Sequence, residues 1–183
     1  MEETEAPAVE RAREGDGDAF RVLVERHSRN VFGLAFRMTG NEQDAEDVVQ
    51  ETFLRAYRQL HQYESRSSFG TWLHRIAANY SLDLIRGRRR HEELHVESAN
   101  VPDNAPAADR VAYSAQVRDS IAAALDQLSA QERTAFVLRH FDGMGIEEIG
   151  GCLGTSANAT KHSIFRAVQK VRRALEPLVS AAI

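Results

Sequence analysis

Much is scarce in this chain of 183 residues. There is one cysteine, Cys152. It has no internal disulfide partner, which suits a reducing compartment and makes the cytosol the expected location. No apolar run approaches the roughly 18–20 residues needed to cross a bilayer, so membrane insertion is not expected. The acidic start MEETEAPAVE has no apolar segment behind a basic one and does not read as a secretory leader. Lysine is nearly missing: only Lys161 and Lys170 occur, and arginine supplies almost all the positive charge. A large excess of either sign is lacking too, with 23 Lys+Arg against 27 Asp+Glu and a net charge of −4. Phosphate recognition needs clustered cations, so a slightly acidic total argues against a nucleic-acid binder. That argument holds only if the charges are evenly spread.

What is present is helical spacing. Phe20, Leu23, Val24, His27, Val31, Leu34, Ala35 and Met38 form one apolar stripe. A second runs through Ala45, Val48, Val49, Thr52, Phe53, Ala56, Tyr57 and Leu60. A third comprises Phe69, Trp72, Leu73, Ile76, Ala77, Tyr80 and Leu84. Gly40 can end the first helix, Asn41 or Asp44 can start the second, and Ser67 or Ser68 can cap the third. No useful stretch alternates with period two, so no sheet is expected. From His91 to about Val111 the apolar period dissolves around Pro102 and Pro106, which predicts a linker. Helical spacing resumes with Val117, Ile121, Leu125 and Leu128, and Ser129-Ala-Gln-Glu132 reads as a capping box. The expectation is an all-α chain of two small helical domains, residues 1–91 and 113–183, joined by a flexible linker at 92–112.

The second domain carries a recognisable motif. A short helix over Ile146–Leu153, a turn at Gly154-Thr155-Ser156 and a longer helix from Ala157 match a helix-turn-helix. Ile149 and Leu153 should pack inward and Gly150 should permit close helix approach. At 100° per residue, Thr160, Ile164, Ala167, Val168, Val171 and Leu175 fall on one face of the long helix. Asn158, His162, Arg166, Gln169 and Arg173 fall on the other, flanked by Lys161 and Phe165. Hydrogen-bonding groups, cations and an exposed ring suit base edges, thymine methyls and phosphates. A merely solvated face is the plainer alternative.

In the first domain, Arg86-Gly-Arg88-Arg89-Arg90 places four cations at a helix C-terminus. That is more than the helix dipole needs, and it points to phosphate contact. Trp72 and Tyr80 lie just upstream; such rings are usually core, though beside a basic run they can also receive unstacked bases.

Two long segments together resemble a known family. DAEDVVQETFLRAYRQLHQYE, followed by SSFGTWLHRIAANYSLDLIRGRRR, resembles region 2 of sigma-70-type initiation factors. LDQLSAQERTAFVLRHFDGMGIEEIGGCLGTSANATKHSIFRAVQKVRRAL resembles their region 4. The likeness covers about residues 15–90 and 121–177, in the expected order with no other domain between. The chain thus resembles an extracytoplasmic-function (ECF, group IV) sigma factor. The resemblance implies a transcription initiation factor with no catalytic site, no cofactor and no metal. It would bind core RNA polymerase through the β′ clamp helices and the β flap, recognise −35 and −10 promoter elements and promote melting.

By the same resemblance, Asp44, Asp47, Gln50, Glu51 and Leu54 would meet core polymerase. Ser65, Arg66, Ser67, Ser68, Trp72 and Asn79 would capture flipped −10 bases, with Arg86, Arg88 and Arg89 on the backbone. Ser156, Asn158, Lys161, His162, Phe165 and Arg166 would read the −35 element. An anti-sigma factor is an expected partner. The family's pattern is departed from at three places: Ala159-Thr160 opens the long helix, Thr155 replaces an aliphatic, and Gly150-Gly151 replaces an alanine-led pair.

Two other functions have partial signals in the sequence. His91-Glu92-Glu93-Leu94-His95 satisfies the H-E-x-x-H zinc-protease pattern, but it leads into a polar linker with no third ligand indicated. A dimeric operator-binding regulator would use the helix-turn-helix alone, and the region 2 likeness argues against it. Lone His27, on an apolar stripe, reads as a core or interface residue rather than a ligand. The −4 total now divides: Arg86–Arg90 and the long helix are basic, while Glu42–Glu51 and the first eighteen residues are acidic.

Overall fold

The computed structural model describes residues 5–94 and 119–180, with side chains through 88 and 176. The side chain of Arg89, His95 of the H-E-x-x-H pentad and linker residues 95–112 lie outside the described residues. All regular structure among the described residues is helical. The helices are α1 (Ala6–Arg13), α2 (Gly17–Thr39), α3 (Glu42–Gln59), α4 (Phe69–Leu94), α5 (119–126), α6 (Ala130–His140), α7 (Ile146–Leu153) and α8 (Ala157–Ser180); a 3-10 turn, Leu60–Gln62, follows α3. No helix among the described residues is long and apolar enough to cross a membrane.

The punctuation follows local chemistry. Gly40 closes α2 with φ 71°, and the Asn41 side chain accepts from the Asp44 amide at 2.9 Å to start α3. Ser68 Oγ accepts from the Thr71 amide at 3.1 Å and starts α4. The capping box at Ser129 and Glu132 is present in both directions, at 3.2 and 3.0 Å. Two features differ from expectation. Helix α1, which has no long stripe, forms with Pro7 in its first turn and buries Val9 and Ala12. Helix α4 runs to Leu94, three residues past the expected domain end. Apart from His91, its last residues are arginine, glutamate and leucine, good helix formers that need no apolar period to continue.

Helix α2 is the hub of the first module, touching α1, α3, α4 and also α6. Its stripe is buried as the spacing predicts, with Leu23, Val31, Leu34 and Ala35 fully shielded. Each leucine so buried contributes about 2 kcal/mol relative to exposure. His27 is buried with them, bonded to Glu5 and edge-on to the Phe69 ring at 5.6 Å. The spacing does not show that this core continues into the second module. Ala135, Val137, Leu138, Met144, Ile149, Cys152 and Leu153 belong to the same buried cluster as the α2 stripe. Burial pushes the Cys152 thiol up, which keeps it protonated and unreactive.

Polar contacts accompany the junction. Arg133 Nε donates to the carbonyl of Arg37 at 2.6 Å, and the Arg37 guanidinium lies 4.4 Å from the Phe141 ring centre. His74 Nδ1 stands 3.1 Å from Asp142 Oδ1, and Arg75 lies 4.0 Å from Glu148. A smaller cluster, Leu125, Leu128 and Ala167, joins α5 to α8.

The three departures near the helix-turn-helix form one packing arrangement. Thr160 is fully buried, and its hydroxyl donates to the Ser156 carbonyl and meets Thr155 Oγ1, both at 3.0 Å. The hydroxyl that a β-branched aliphatic would lack is therefore satisfied. Gly150 lies beneath them: a β-carbon there would stand 2.8 Å from the Thr155 carbonyl oxygen and 3.1 Å from Thr160 Oγ1. Gly150→Ala gains about 1 kcal/mol of helix propensity but overpacks against backbone, which costs about 1–3 kcal/mol. The clash is with a main-chain oxygen that cannot rotate away, so the loss should win. Denaturant unfolding should show a net destabilisation of up to about 2 kcal/mol, and a higher midpoint would show that the turn relaxes freely.

Candidate nucleic-acid and protein interface

The second module exposes one coherent face. Asn158, Lys161, His162, Phe165 and Arg166 all lie exposed on α8, and Phe165 is 63% exposed, the most of any large apolar side chain described. Ser156 sits at the helix start, its hydroxyl accepting from the Ala159 amide at 3.3 Å. The buried side of α8 is turned slightly from the expected one: Thr160, Ser163 and Ala167 are fully shielded, while Ile164, Val168, Val171 and Leu175 are half-buried. Serine carries no hydropathy signal, so Ser163 is invisible to a periodicity argument.

One carboxylate fixes this helix. Glu132 is 6% exposed at its side chain, and it accepts from Lys170 Nζ at 2.7 Å and lies 3.5 Å from Arg166 Nε. The same group caps α6. Burial alone pushes the Glu132 carboxyl up. The Lys170 hydrogen bond, the Ser129 amide and the two cations outweigh it and hold the group below its ordinary value.

The first module splits its candidate residues among three places. Asp47, Gln50 and Leu54 form an exposed ridge on α3, with Leu54 45% exposed. Glu51 is half-buried and pairs with Arg55 at 2.6 Å. A shallow groove of about 620 Å³ runs beside the ridge, lined by Ser28, Arg29, Phe32, Glu46, Val49 and Gln50. Phe36, 46% exposed, stacks on Phe32. Sequence reasoning missed this apolar wall. Two phenylalanines four apart, off the main stripe of α2, were the available signal. Asp44 is not on the ridge: it is buried, and its carboxylate pairs with Arg88 on α4.

The loop before α4 is shaped by aromatic packing. Tyr63 donates to the Ser67 carbonyl at 2.7 Å, and Arg13 donates to the Tyr63 carbonyl. Burial pushes the Tyr63 hydroxyl up. Ser65 holds φ 56°, a left-handed conformation that non-glycine residues seldom adopt. Tyr63, Phe69 and Trp72 contact one another at 5.3–5.5 Å, so the half-buried Trp72 packs on its own module. Tyr80 is half-buried beneath the Arg55 guanidinium at 4.8 Å. Ser65, Arg66 and Ser68 are exposed and Ser67 is half-exposed. A pocket of about 210 Å³ opens beside them, bounded by Glu5, Val9, Glu10, Tyr63 and Phe69. Asn79 and Arg86 are exposed on α4, and Arg88 extends from the same helix to Asp44. Among the described residues no group of three or more His, Cys, Asp or Glu is placed to hold a metal ion.

This geometry has counterparts among known proteins. Residues 23–91 match the sigma-70 region 2 family, and residues 118–171 match sigma-70 region 4. The RNA polymerase sigma-H factor of Pseudomonas aeruginosa is 35% identical over 190 residues, spanning 99% of this chain and 98% of that one. The ECF RNA polymerase sigma factor SigE of Mycolicibacterium smegmatis is 38% identical over 152 residues. That match covers 82% of this chain but 59% of SigE, so the chain spans under two thirds of that relative's length. Among solved structures, CnrH in complex with the cytosolic domain of CnrY superposes with a TM-score of 0.67 at 28% identity, covering 96% of this chain and 99% of CnrH.

The Glu132 pairing has a consequence for acid stability. A carboxyl depressed in the folded state stabilises the fold above its unfolded value, near 4.5, and that contribution is lost as pH falls through the lower folded value. Glu132→Gln should therefore lower the unfolding midpoint at pH 7 and narrow its gap from the parent protein below pH 4. A gap independent of pH would show that the carboxylate charge is not what matters.

Proposed function

Because this chain belongs to the extracytoplasmic-function group of sigma-70 RNA polymerase sigma factors, and is on that ground a transcription-initiation factor, we propose that it binds core polymerase and bridges the −35 and −10 promoter elements. The observation that carries this reading is the exposed α8 face, with Lys161, His162, Phe165 and Arg166 presented together at the second helix of a helix-turn-helix. Such a helix fits the major groove, where cations anchor phosphates and Phe165 meets thymine methyls.

In the first module, the α3 ridge of Asp47, Gln50 and Leu54 and the apolar groove beside it suit the β′ clamp of core polymerase. An acidic rim around an apolar wall complements a basic partner surface. The β flap is the second contact proposed, for the carboxy-terminal module. The loop of Ser65, Arg66, Ser67 and Ser68, with Asn79, holds unstacked −10 bases in this reading, and Arg86, Arg88 and Arg89 hold their phosphates. Trp72, half-buried and packed against Tyr63, steadies this loop and offers its remaining exposed part to the same bases. Asp44 serves by holding Arg88, so it supports the −10 face from within. Melting follows from trapping bases that have left the stack, which requires neither a cofactor nor a catalytic group. The factor acts in the cytoplasm. A regulatory anti-sigma protein is a further partner, supported by family membership and by the protein-bound state in which CnrH was solved.

Run-off transcription with core polymerase tests the whole reading: promoter-specific transcripts should appear only when this protein is added, and their absence would overturn it. Phe165→Ala should cut −35-dependent initiation about tenfold while core pull-down stays unchanged. Loss of core binding in parallel would assign Phe165 a structural role.

A further inference from the structure

We propose that helix α1 braces the loop from Tyr63 to Phe69 at both of its ends, with Arg13 and Glu5 as positioning residues for −10 recognition. The brace stands on contacts within the first module; only its consequence for −10 bases rests on the function proposed above.

The loop needs outside support to keep its shape. Fully extended, the chain from Tyr63 to Phe69 could span about 20 Å, yet the rings at its two ends touch at 5.5 Å. The chain is therefore folded back on itself, and Ser65 takes a left-handed conformation, φ 56°, within it. A non-glycine residue stays there only when its surroundings over-determine it. Close packing does not supply that on the side of α1. A cavity of about 210 Å³ opens there, with Glu5, Val9 and Glu10 on one wall and Ser65, Ser68 and Phe69 on the other. The loop has room to shift into this space, so directional bonds hold it on that side.

Helix α1 supplies one tie at each end. At its carboxy-terminal end Arg13 donates to the Tyr63 carbonyl, and the Tyr63 hydroxyl donates to the Ser67 carbonyl at 2.7 Å. One cation thus acts on the entry to the loop and, through Tyr63, on its far side. The other terminal nitrogen of Arg13 donates to Glu10 at 2.9 Å, which fixes the direction of the guanidinium. At the amino-terminal end the Glu5 carboxylate bonds His27 Nε2. The His27 ring stands edge-on to Phe69 at 5.6 Å and lies against Gly70, where a β-carbon would stand 3.3 Å from His27 Cε1. Glu5 therefore acts, through His27, on the point where the loop becomes α4.

A helix of eight residues is about 12 Å long and stiff, so it fixes the separation of its two ties. Neither tie is needed to form α1 itself. Glu5 makes no capping hydrogen bond to the helix it precedes, and Val9 and Ala12 supply the buried side. Helix α1 also lies ahead of residues 23–91, so the match to region 2 does not include it.

Trp72, the sole tryptophan, packs on Tyr63 and Phe69 at 5.3 and 5.5 Å and reports on the loop without any DNA. In the full chain, Arg13→Ala and Glu5→Ala should each shift Trp72 emission to longer wavelength and increase its quenching by acrylamide, with helical circular dichroism unchanged. Arg13→Lys keeps a donor for one carbonyl and should return the parental spectrum. Parental emission and quenching in either folded alanine variant overturns the brace. If both variants lose helicity, the two residues serve the fold as a whole and the positioning role is overturned.

The consequence for recognition is read with holoenzyme assembled from core polymerase and each variant. The probe is a single-stranded oligonucleotide carrying the non-template −10 sequence of a promoter that the parent holoenzyme transcribes. Arg13→Ala should weaken its binding about tenfold, the size of one charge-assisted hydrogen bond, and Arg13→Lys should restore most of it. Core pull-down and binding of −35 duplex should stay parental. Parallel loss of core or −35 binding makes Arg13 a general stabiliser and overturns the positioning role, as does parental −10 binding. A parent protein that supports transcription from no promoter overturns the initiation reading, and the Trp72 result then decides the brace alone.

Discussion

The burial of one stripe on α2 organises the rest of the structure. Leu23, His27, Val31, Leu34, Ala35 and Met38 form a continuous wall against which α1, α3, α4 and α6 are laid. Because α2 is 23 residues long, it has room for packing partners from both modules. The loop after α3 and the start of α4 take their places through this wall: Phe69 meets His27, and Tyr63 and Trp72 meet Phe69. A candidate binding loop with a left-handed serine is thus held by aromatic packing rather than by its own sequence preference.

The second module uses a different economy. Its precision comes from one buried carboxylate and one glycine. Glu132 caps α6 and accepts from α8, so the start of one helix fixes the rotation of another. Gly150 lets α7 approach the Thr155 carbonyl and the Thr160 hydroxyl, and that hydroxyl bonds the Ser156 carbonyl and meets the Thr155 hydroxyl. Departures from a family pattern that look separate along the chain are contacts of one another in space.

The fold was largely legible from period and punctuation. The three long stripes, the capping box and the turn at Gly154 each produce a local signal, and the helices begin and end near where those signals lie. The losses share one cause: they depend on pairing between elements. Asp44 looks like any acidic residue of α3, and only the position of Arg88 far along the chain turns it inward. Ser163 is shielded on a helix that packs against α6 and α7. Helix α1 is too short for a stripe and forms because Val9 and Ala12 find a surface already built. The union of the two cores is legible only in three dimensions, since Ile149 and Leu153 would be apolar in either an isolated or a docked module. On the candidate faces, the exposed side of α8 followed from periodicity, while Phe32 and Phe36 needed the neighbouring α3 to become a groove.

Arg88 and Arg166 are each already matched with an internal carboxylate, Asp44 and Glu132. Cations held this way carry a thinner atmosphere of small ions than free ones. When they turn to phosphates the polyanion still sheds its condensed cations, but each carboxylate left behind draws a cation back, so the net release is small. The affinity of such a surface for a polyanion depends on ionic strength more weakly than its count of arginines would suggest. The internal carboxylates also set a geometric requirement, because each must find a replacement partner or water when its arginine leaves. Loose, sequence-indifferent attraction is thereby kept low, and only a ligand that fits both the shape and the charge of the face repays the exchange.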